Sequence, residues 1–180
     1  MATQTEIRLT GSGGQGLITA GIIIAEAAIM DGKNAIQTQS YGPEARGGAS
    51  KAEVIISDVE IDFPKVELPD LTLALTQIAC DKYISEIKTT GTIIVDSAIQ
   101  LPEGLEAAKI IRVPIIQTAA EKLGKSIVAN IIALGIIAGL TDIATKESVE
   151  KAVLSRVPKG TEELNKAALA EGYELALSNK

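Results

Sequence analysis

Six residues, Gly11-Ser12-Gly13-Gly14-Gln15-Gly16, constrain this chain more than any others. They follow a short strand-like run, Glu6-Ile7-Arg8-Leu9-Thr10, and precede an apolar helical pattern over residues 15–31. Strand, tight turn and helix in that order open a βαβ unit, and the glycines fit G-x-G-x-x-G at Gly11, Gly13 and Gly16. Glycine there permits positive φ and close backbone approach, while the free N–H groups and positive end of the helix can hold an anionic phosphate. The same spacing also serves a merely tight strand-to-helix turn needed for packing, so the ligand is a separate question.

Residues 34–39 and 51–57 read as a second and a third strand, the latter with Ala52, Val54 and Ile56 on one face. Ser57-Asp58 is expected to turn the third strand back along Glu60-Ile61-Asp62-Phe63 as an antiparallel hairpin. Residues 70–75 look like a buried strand running into a helix over 77–88, and 92–96 and 109–113 supply further strands. The remainder reads as helices broken near Gly124, 139–145 and 158–160. Alternating strands and helices, with continuous apolar strands at 92–95 and 110–113, predict an α/β fold. It is expected to be a three-layer α/β/α, Rossmann-like domain over residues 1–180, with a mixed, mainly parallel sheet. No repeat, linker or low-complexity tract interrupts it.

A dinucleotide-binding fold would place an acidic residue at the end of its second strand, about 20 residues beyond the glycines, to hold ribose hydroxyls. That strand here ends in Thr38-Gln39-Ser40, and Asp31, nearer in sequence, is expected to be a solvated group at a helix end. NAD is therefore the weaker reading.

Composition removes most other machinery. There is no histidine and a single cysteine, Cys80, so a Ser/His or Cys/His pair, a histidine zinc site and a four-thiolate cluster held by this chain alone are impossible. Cys80 reads as a small apolar filler, and a lone cysteine suits a reducing cytoplasm. Seventeen basic against twenty-three acidic residues give a net charge of −6, which offers no general attraction to nucleic acid or anionic membranes. The apolar stretches 17–30 and 127–140 fall short of the roughly 20 residues that span a bilayer. Thr19, Glu26 and Asn130 also interrupt them, so both read as buried helices. The N-terminus lacks the basic and apolar regions of a secretory signal, and a cytoplasmic location is expected.

The second chemical signal is the loop Ser40-Tyr41-Gly42-Pro43-Glu44-Ala45-Arg46-Gly47-Gly48-Ala49-Ser50. In a doubly wound sheet it would open onto the same crevice as the first glycine turn. Arg46 brings five fixed donors for a phosphate, Gly47 and Gly48 leave amides accessible, and Tyr41 offers an apolar face with a polar tip. Standing alone, the segment reads equally well as an exposed loop whose Arg46 pairs with Glu44 or a partner chain.

Together the two motifs resemble the gamma subunit of 2-oxoacid:ferredoxin oxidoreductases, over nearly the whole chain. The wording Tyr41-Gly42-Pro43-Glu44-Ala45-Arg46-Gly47-Gly48 is most similar to the 2-oxoglutarate branch, with the pyruvate and branched-chain branches as alternatives. The resemblance implies the fold of pyruvate-ferredoxin oxidoreductase domain III. It also implies a complex that converts a 2-oxoacid, coenzyme A and oxidised ferredoxin into an acyl-CoA, carbon dioxide and reduced ferredoxin. Thiamine diphosphate with Mg²⁺ and the 4Fe-4S clusters would belong to partner alpha, beta and ferredoxin-like delta subunits. Coenzyme A would be the ligand here, its phosphates along Gly11, Ser12, Gly13, Gln15 and Gly16, with Tyr41, Gly42, Arg46, Gly47 and Gly48 closing the other side. Some relatives carry lysines where this chain has Glu44 and Ala45, so part of the electrostatic grip is expected from neighbouring subunits. No catalytic or metal-binding residue is assigned. The rival functions are a free-standing nucleotide-binding regulator and a subunit that chiefly buries its partners' apolar faces.

Among the remaining polar residues, Asp96-Ser97 ends a core strand as a cap or turn former. Asn130, inside an apolar helix, needs a partner, most economically a loop backbone. Lys122, Lys125, Lys146 and the acidic run Glu162, Glu163, Glu171 and Glu174 read as solvated helix faces.

Overall fold

A computed structural model describes residues 4–41 and 48–179. β1 (Gln4–Ser12) leads into α1 (Leu17–Met30), followed by β2 (Asn34–Tyr41), β3 (Ala49–Ser57), β4 (Leu71–Ala74), α2 (Gln77–Tyr83), β5 (Thr92–Asp96) and β6 (Lys109–Val113). A short α3 (Ile115–Gln117) runs into a wide π-type turn and is followed by α4 (Ala129–Leu140), α5 (Lys146–Arg156) and α6 (Glu162–Leu177). The six-stranded sheet has the order β2-β3-β1-β4-β5-β6. β1, β4, β5 and β6 are mutually parallel, while β3 lies antiparallel between β1 and β2. The mixed, mainly parallel sheet is as expected, but β3 itself supplies the mixing.

The predicted hairpin along residues 60–63 does not form, and no strand occurs at 58–70. The register explains why. At its end Ser57 pairs with Gln4 on one side and Asn34 on the other, so a returning segment finds no free edge.

One face of the sheet packs against α1, α4, α5 and α6 through Ile7, Leu9, Val54, Leu73 and Ile94. The other is covered by α2 and the segments beside it, around Ala74, Cys80, Ile84, Ile93, Val95 and Ile99. Cys80 is fully buried there as the small apolar filler expected, and burial raises its thiol pKa, the charge of Asp81 adding to the effect.

This second face also holds charge. Arg8, 1% exposed, donates from Nε to Glu53 directly opposite on β3 (2.7 Å), and from Nη1 to the carboxylate (2.8 Å) and carbonyl (3.2 Å) of Glu86. Lys51 joins Glu53 at 3.0 Å. A buried guanidinium requires such partners. α2 stops at Tyr83, short of the predicted residue 88.

Candidate anion-binding site at the glycine turn

β1 ends opposite the start of β3, with Ser12 paired to Ala49 and Gly11 to Ser50, and Tyr41 of β2 meets Ser50 from the other side. This register brings the end of β1, the end of β2 and the start of β3 to one edge of the sheet. The two glycine segments touch there: the Gly13 N–H donates to the Gly48 carbonyl at 3.3 Å, and Ser50 Oγ to the Gly11 carbonyl at 3.4 Å. Gly42, Arg46 and Gly47, with Pro43, Glu44 and Ala45, lie outside the described residues, as does the side chain of Tyr41.

Within the turn Gln15 has an internal role, since its Oε1 accepts from the Ser12 N–H at 2.8 Å. The amides of Ser12 and Gly13 are thus engaged within the protein. Gly16 caps α1 with φ +74°, and no side chain among the described residues caps that helix. Nor does any described acceptor take the N–H groups of Leu17, Ile18 and Thr19. Those first-turn amides form the donor set at the positive end of the helix. Gly13 and Gly14 are exposed, so the turn is open, and a cleft of about 380 Å³ lies over it, reaching Thr19 and Ser50.

Asn130, in the first turn of α4, fixes the turn from below. Its Nδ2 donates to the Gly16 carbonyl at 3.1 Å, the loop-backbone bond expected of it. A Cβ at Gly16 would stand 2.5 Å from that nitrogen, and one at Gly11 would fall 2.3 Å from Gln15 Oε1. Gly16 needs glycine for close approach as well as conformation, and Gly11 for close approach alone. Beyond Gly16 a mainly apolar pocket of about 340 Å³ adjoins, lined by Ile127, Ile131, Val157, Pro158 and Leu164, with Asn130 and Thr19 on the wall toward the turn.

Where a dinucleotide fold would bring its acidic residue beside the first strand, β3 intervenes, so β2 is not adjacent to β1. Asp96 is the turn former expected: its carboxylate accepts from Ala98 N at 3.0 Å and Ile116 N at 2.8 Å, tying β5 to α3. Asp31 departs from expectation. It accepts from Ser148 Oγ and from the amide and hydroxyl of Thr145, clasping the end of α1 to the start of α5. The Ser148 hydroxyl, then the Thr145 amide, hold its carboxyl below the usual range. Of the helix charges, Lys122 pairs with Glu171 at 2.6 Å and Lys146 lies over the Tyr173 ring at 4.7 Å. Ser50 and Thr19 were not legible as site residues, because only the antiparallel register places Ser50 beside Gly11.

These features define an α/β protein with an open glycine turn and an uncapped helix N-terminus at the carboxyl edge of its sheet. The chain belongs to the pyruvate ferredoxin/flavodoxin oxidoreductase family, whose model matches residues 6–175. It is 52% identical over 174 residues to the 2-oxoglutarate synthase subunit KorC of Methanocaldococcus jannaschii, covering 95% of this chain and 93% of that protein. The KorC subunit of Archaeoglobus fulgidus is 39% identical over 97% of this chain and 89% of its own length. Among solved structures, the gamma subunit of a keto/oxoacid ferredoxin oxidoreductase from Geobacter sulfurreducens superposes with a TM-score of 0.88 at 52% identity, over 99% of both chains. The 2-oxoglutarate:ferredoxin oxidoreductase of Magnetococcus marinus, solved with 2-oxoglutarate, coenzyme A and succinyl-CoA bound, shares the fold. Its TM-score is 0.87 at 20% identity, over 98% of this chain and 32% of that one.

Proposed function

We propose that residues 1–180 work as one unit, the gamma subunit of a cytoplasmic 2-oxoglutarate:ferredoxin oxidoreductase, and hold coenzyme A while partner subunits carry out the oxidation. The complex converts 2-oxoglutarate, coenzyme A and oxidised ferredoxin to succinyl-CoA, carbon dioxide and reduced ferredoxin. The observation that carries the reading is the open glycine turn, with the uncapped first-turn amides of α1 above it and the Gly13–Gly48 bond joining it to the second glycine segment.

Coenzyme A carries a pyrophosphate and a 3′-phosphate, which suit backbone donors at a helix N-terminus plus a guanidinium. The glycine turn meets the first need and Arg46 is assigned to the second. An apolar pocket beside an anion cleft also fits a ligand that joins phosphates to less polar arms. The names of the KorC relatives favour 2-oxoglutarate over the pyruvate and branched-chain substrates.

Thiamine diphosphate with Mg²⁺ and iron–sulfur clusters, on the alpha, beta and delta partners, supply decarboxylation and electron transfer to ferredoxin. This chain contributes binding and orientation, worth several kcal/mol without any side chain entering the bond-making step. In the assembled complex Arg46→Ala should raise the KM for coenzyme A about tenfold or more, with the KM for 2-oxoglutarate and the kcat at saturating coenzyme A unchanged. An unchanged KM for coenzyme A would remove Arg46 from the site. Tight binding of NADH or ATP to the full chain, with coenzyme A silent, would favour a nucleotide-binding regulator instead.

A further inference from the structure

The two outer strands treat their free edges differently. β6 presents the exposed side chains of Lys109 and Arg112, whose cationic groups are held by the Asn179 and Ile99 carbonyls. β2 has eight residues with no charge, proline or glycine, and pairs with β3 residue for residue from Asn34–Ser57 to Tyr41–Ser50 without a bulge. Among the described residues no strand pairs with its outer side. Beside its start is a cavity of about 480 Å³ lined in part by Ile29, Ile36 and Ile61, and Ile29, Met30 and Val59 are each more than half exposed. A long, bulge-free, uncharged edge, with Lys33 and Glu60 beside the apolar side chains at its start, is a template for another strand.

We propose that β2 pairs antiparallel with β2 of a second copy of this chain, about a two-fold axis near Gln37 and Thr38, joining two six-stranded sheets into one. A two-fold interface sets each patch against itself, so a strand of single-signed charge opposes its own like charges. That bars β6, with Lys109 and Arg112, and admits β2. Selection of an unlike partner ordinarily uses complementary charges, and β2 has none to offer. Because the paired strands are antiparallel, the glycine-turn clefts of the two copies lie at opposite ends of the shared pair. Each β2 would then be stiffened just before the loop that meets the Gly13 turn. The inference does not depend on what the cleft binds.

Sedimentation of the full chain over a concentration series tests it. A reversible dimer of the 18.7 kDa chain is expected. Thr38→Lys, which brings two like charges together near the axis, should weaken it at least about tenfold, as should Gln39→Lys at an exposed position. Arg112→Glu on the other edge should leave the dimer unchanged, and circular dichroism should show every variant folded. A monomer at all concentrations, or a dimer indifferent to both lysines, would overturn the proposal. In the purified complex, Thr38→Cys treated with a short bis-maleimide should give a gamma–gamma product, since Cys80 is buried. A cross-link to a different subunit, or no gamma–gamma product, would overturn it equally.

Discussion

The contact between Gly16 and Asn130 allows a quantitative test of how the turn is held. Replacing Gly16 with alanine forces a side chain into φ +74°, a left-handed conformation that costs a non-glycine residue about 1–2 kcal/mol. The new Cβ would also displace Asn130 Nδ2, 2.5 Å away, and break its 3.1 Å bond to the Gly16 carbonyl, worth about 1 kcal/mol. Gly16→Ala should therefore destabilise by about 2–3 kcal/mol, and Asn130→Ala by about 1 kcal/mol, since the Ala20 amide still serves that carbonyl. In the double variant the bond is lost only once and the collision is gone. The total should then stay at about 2–3 kcal/mol, roughly 1 kcal/mol below the sum of the singles. Urea unfolding of the four proteins at equal m-values measures the cycle. Additivity within about 0.5 kcal/mol would mean that Asn130 does not hold the turn.

Three other outcomes follow from burial and hydrogen bonding. Asp31, its carboxyl held below the usual range by Ser148 and Thr145, should stabilise the fold fully at neutral pH and lose that contribution as pH falls through its lowered value. The stability gap between wild type and Asp31→Asn should accordingly narrow in acid, and a pH-independent gap would show that the clasp does not depend on charge. Cys80, fully buried with its thiol kept protonated, should react with a thiol reagent only as the protein opens; labelling of the native chain at the rate of a free thiol would contradict that placement. Tyr173 has a buried hydroxyl with no partner among the described residues, and burial, with the charge of Glu150, pushes its pKa up to about 12. Tyr173→Phe should leave stability unchanged or raise it by up to about 1 kcal/mol in thermal unfolding, and a loss larger than that would reveal a bond to the hydroxyl.

The parts of the fold legible in the sequence are those encoded by neighbours along the chain. The β1-turn-α1 unit, the apolar strands β5 and β6, and the face Ala52, Val54 and Ile56 all follow from local period and glycine placement. Sheet order is not local. Nothing in residues 49–57 says that they insert between β1 and β2, and that insertion removed the hairpin expected at 60–63. Arg8 shows the same limit: in an alternating strand it reads as facing water, and only its tertiary pairing with Glu53 and Glu86 makes its burial tolerable. The crossing of α4 and α6 was also hidden, because Gly135 and Gly172 interrupt apolar runs for packing and not for turning. A Cβ at Gly172 would lie 2.2 Å from the Ile132 carbonyl. For the site, the glycine turn and its contact with Gly48 were legible as two motifs that converge, whereas the internal duties of Gln15 and of the Ser12 and Gly13 amides were not.

Those internal duties decide what the turn can contribute. With the Ser12 amide spent within the turn and the Gly13 amide on the Gly48 carbonyl, the turn is a frame that presents α1, and attraction of an anion would fall to the helix end. Among the described residues none that lines the cleft is charged, and a helix end stabilises an adjacent anion by about 0.3–1 kcal/mol, up to about 2 when partly buried. A ligand with a pyrophosphate and a further phosphate needs more than that, and a chain of net charge −6 supplies no diffuse attraction to make up the difference. The described residues of the cleft by themselves therefore offer backbone donors but little charge. A guanidinium at the second glycine segment, together with cations from neighbouring subunits, is what would turn the frame into a grip. If coenzyme A binds here as proposed, this chain would orient its phosphates while cations of the surrounding chains would help to neutralise them.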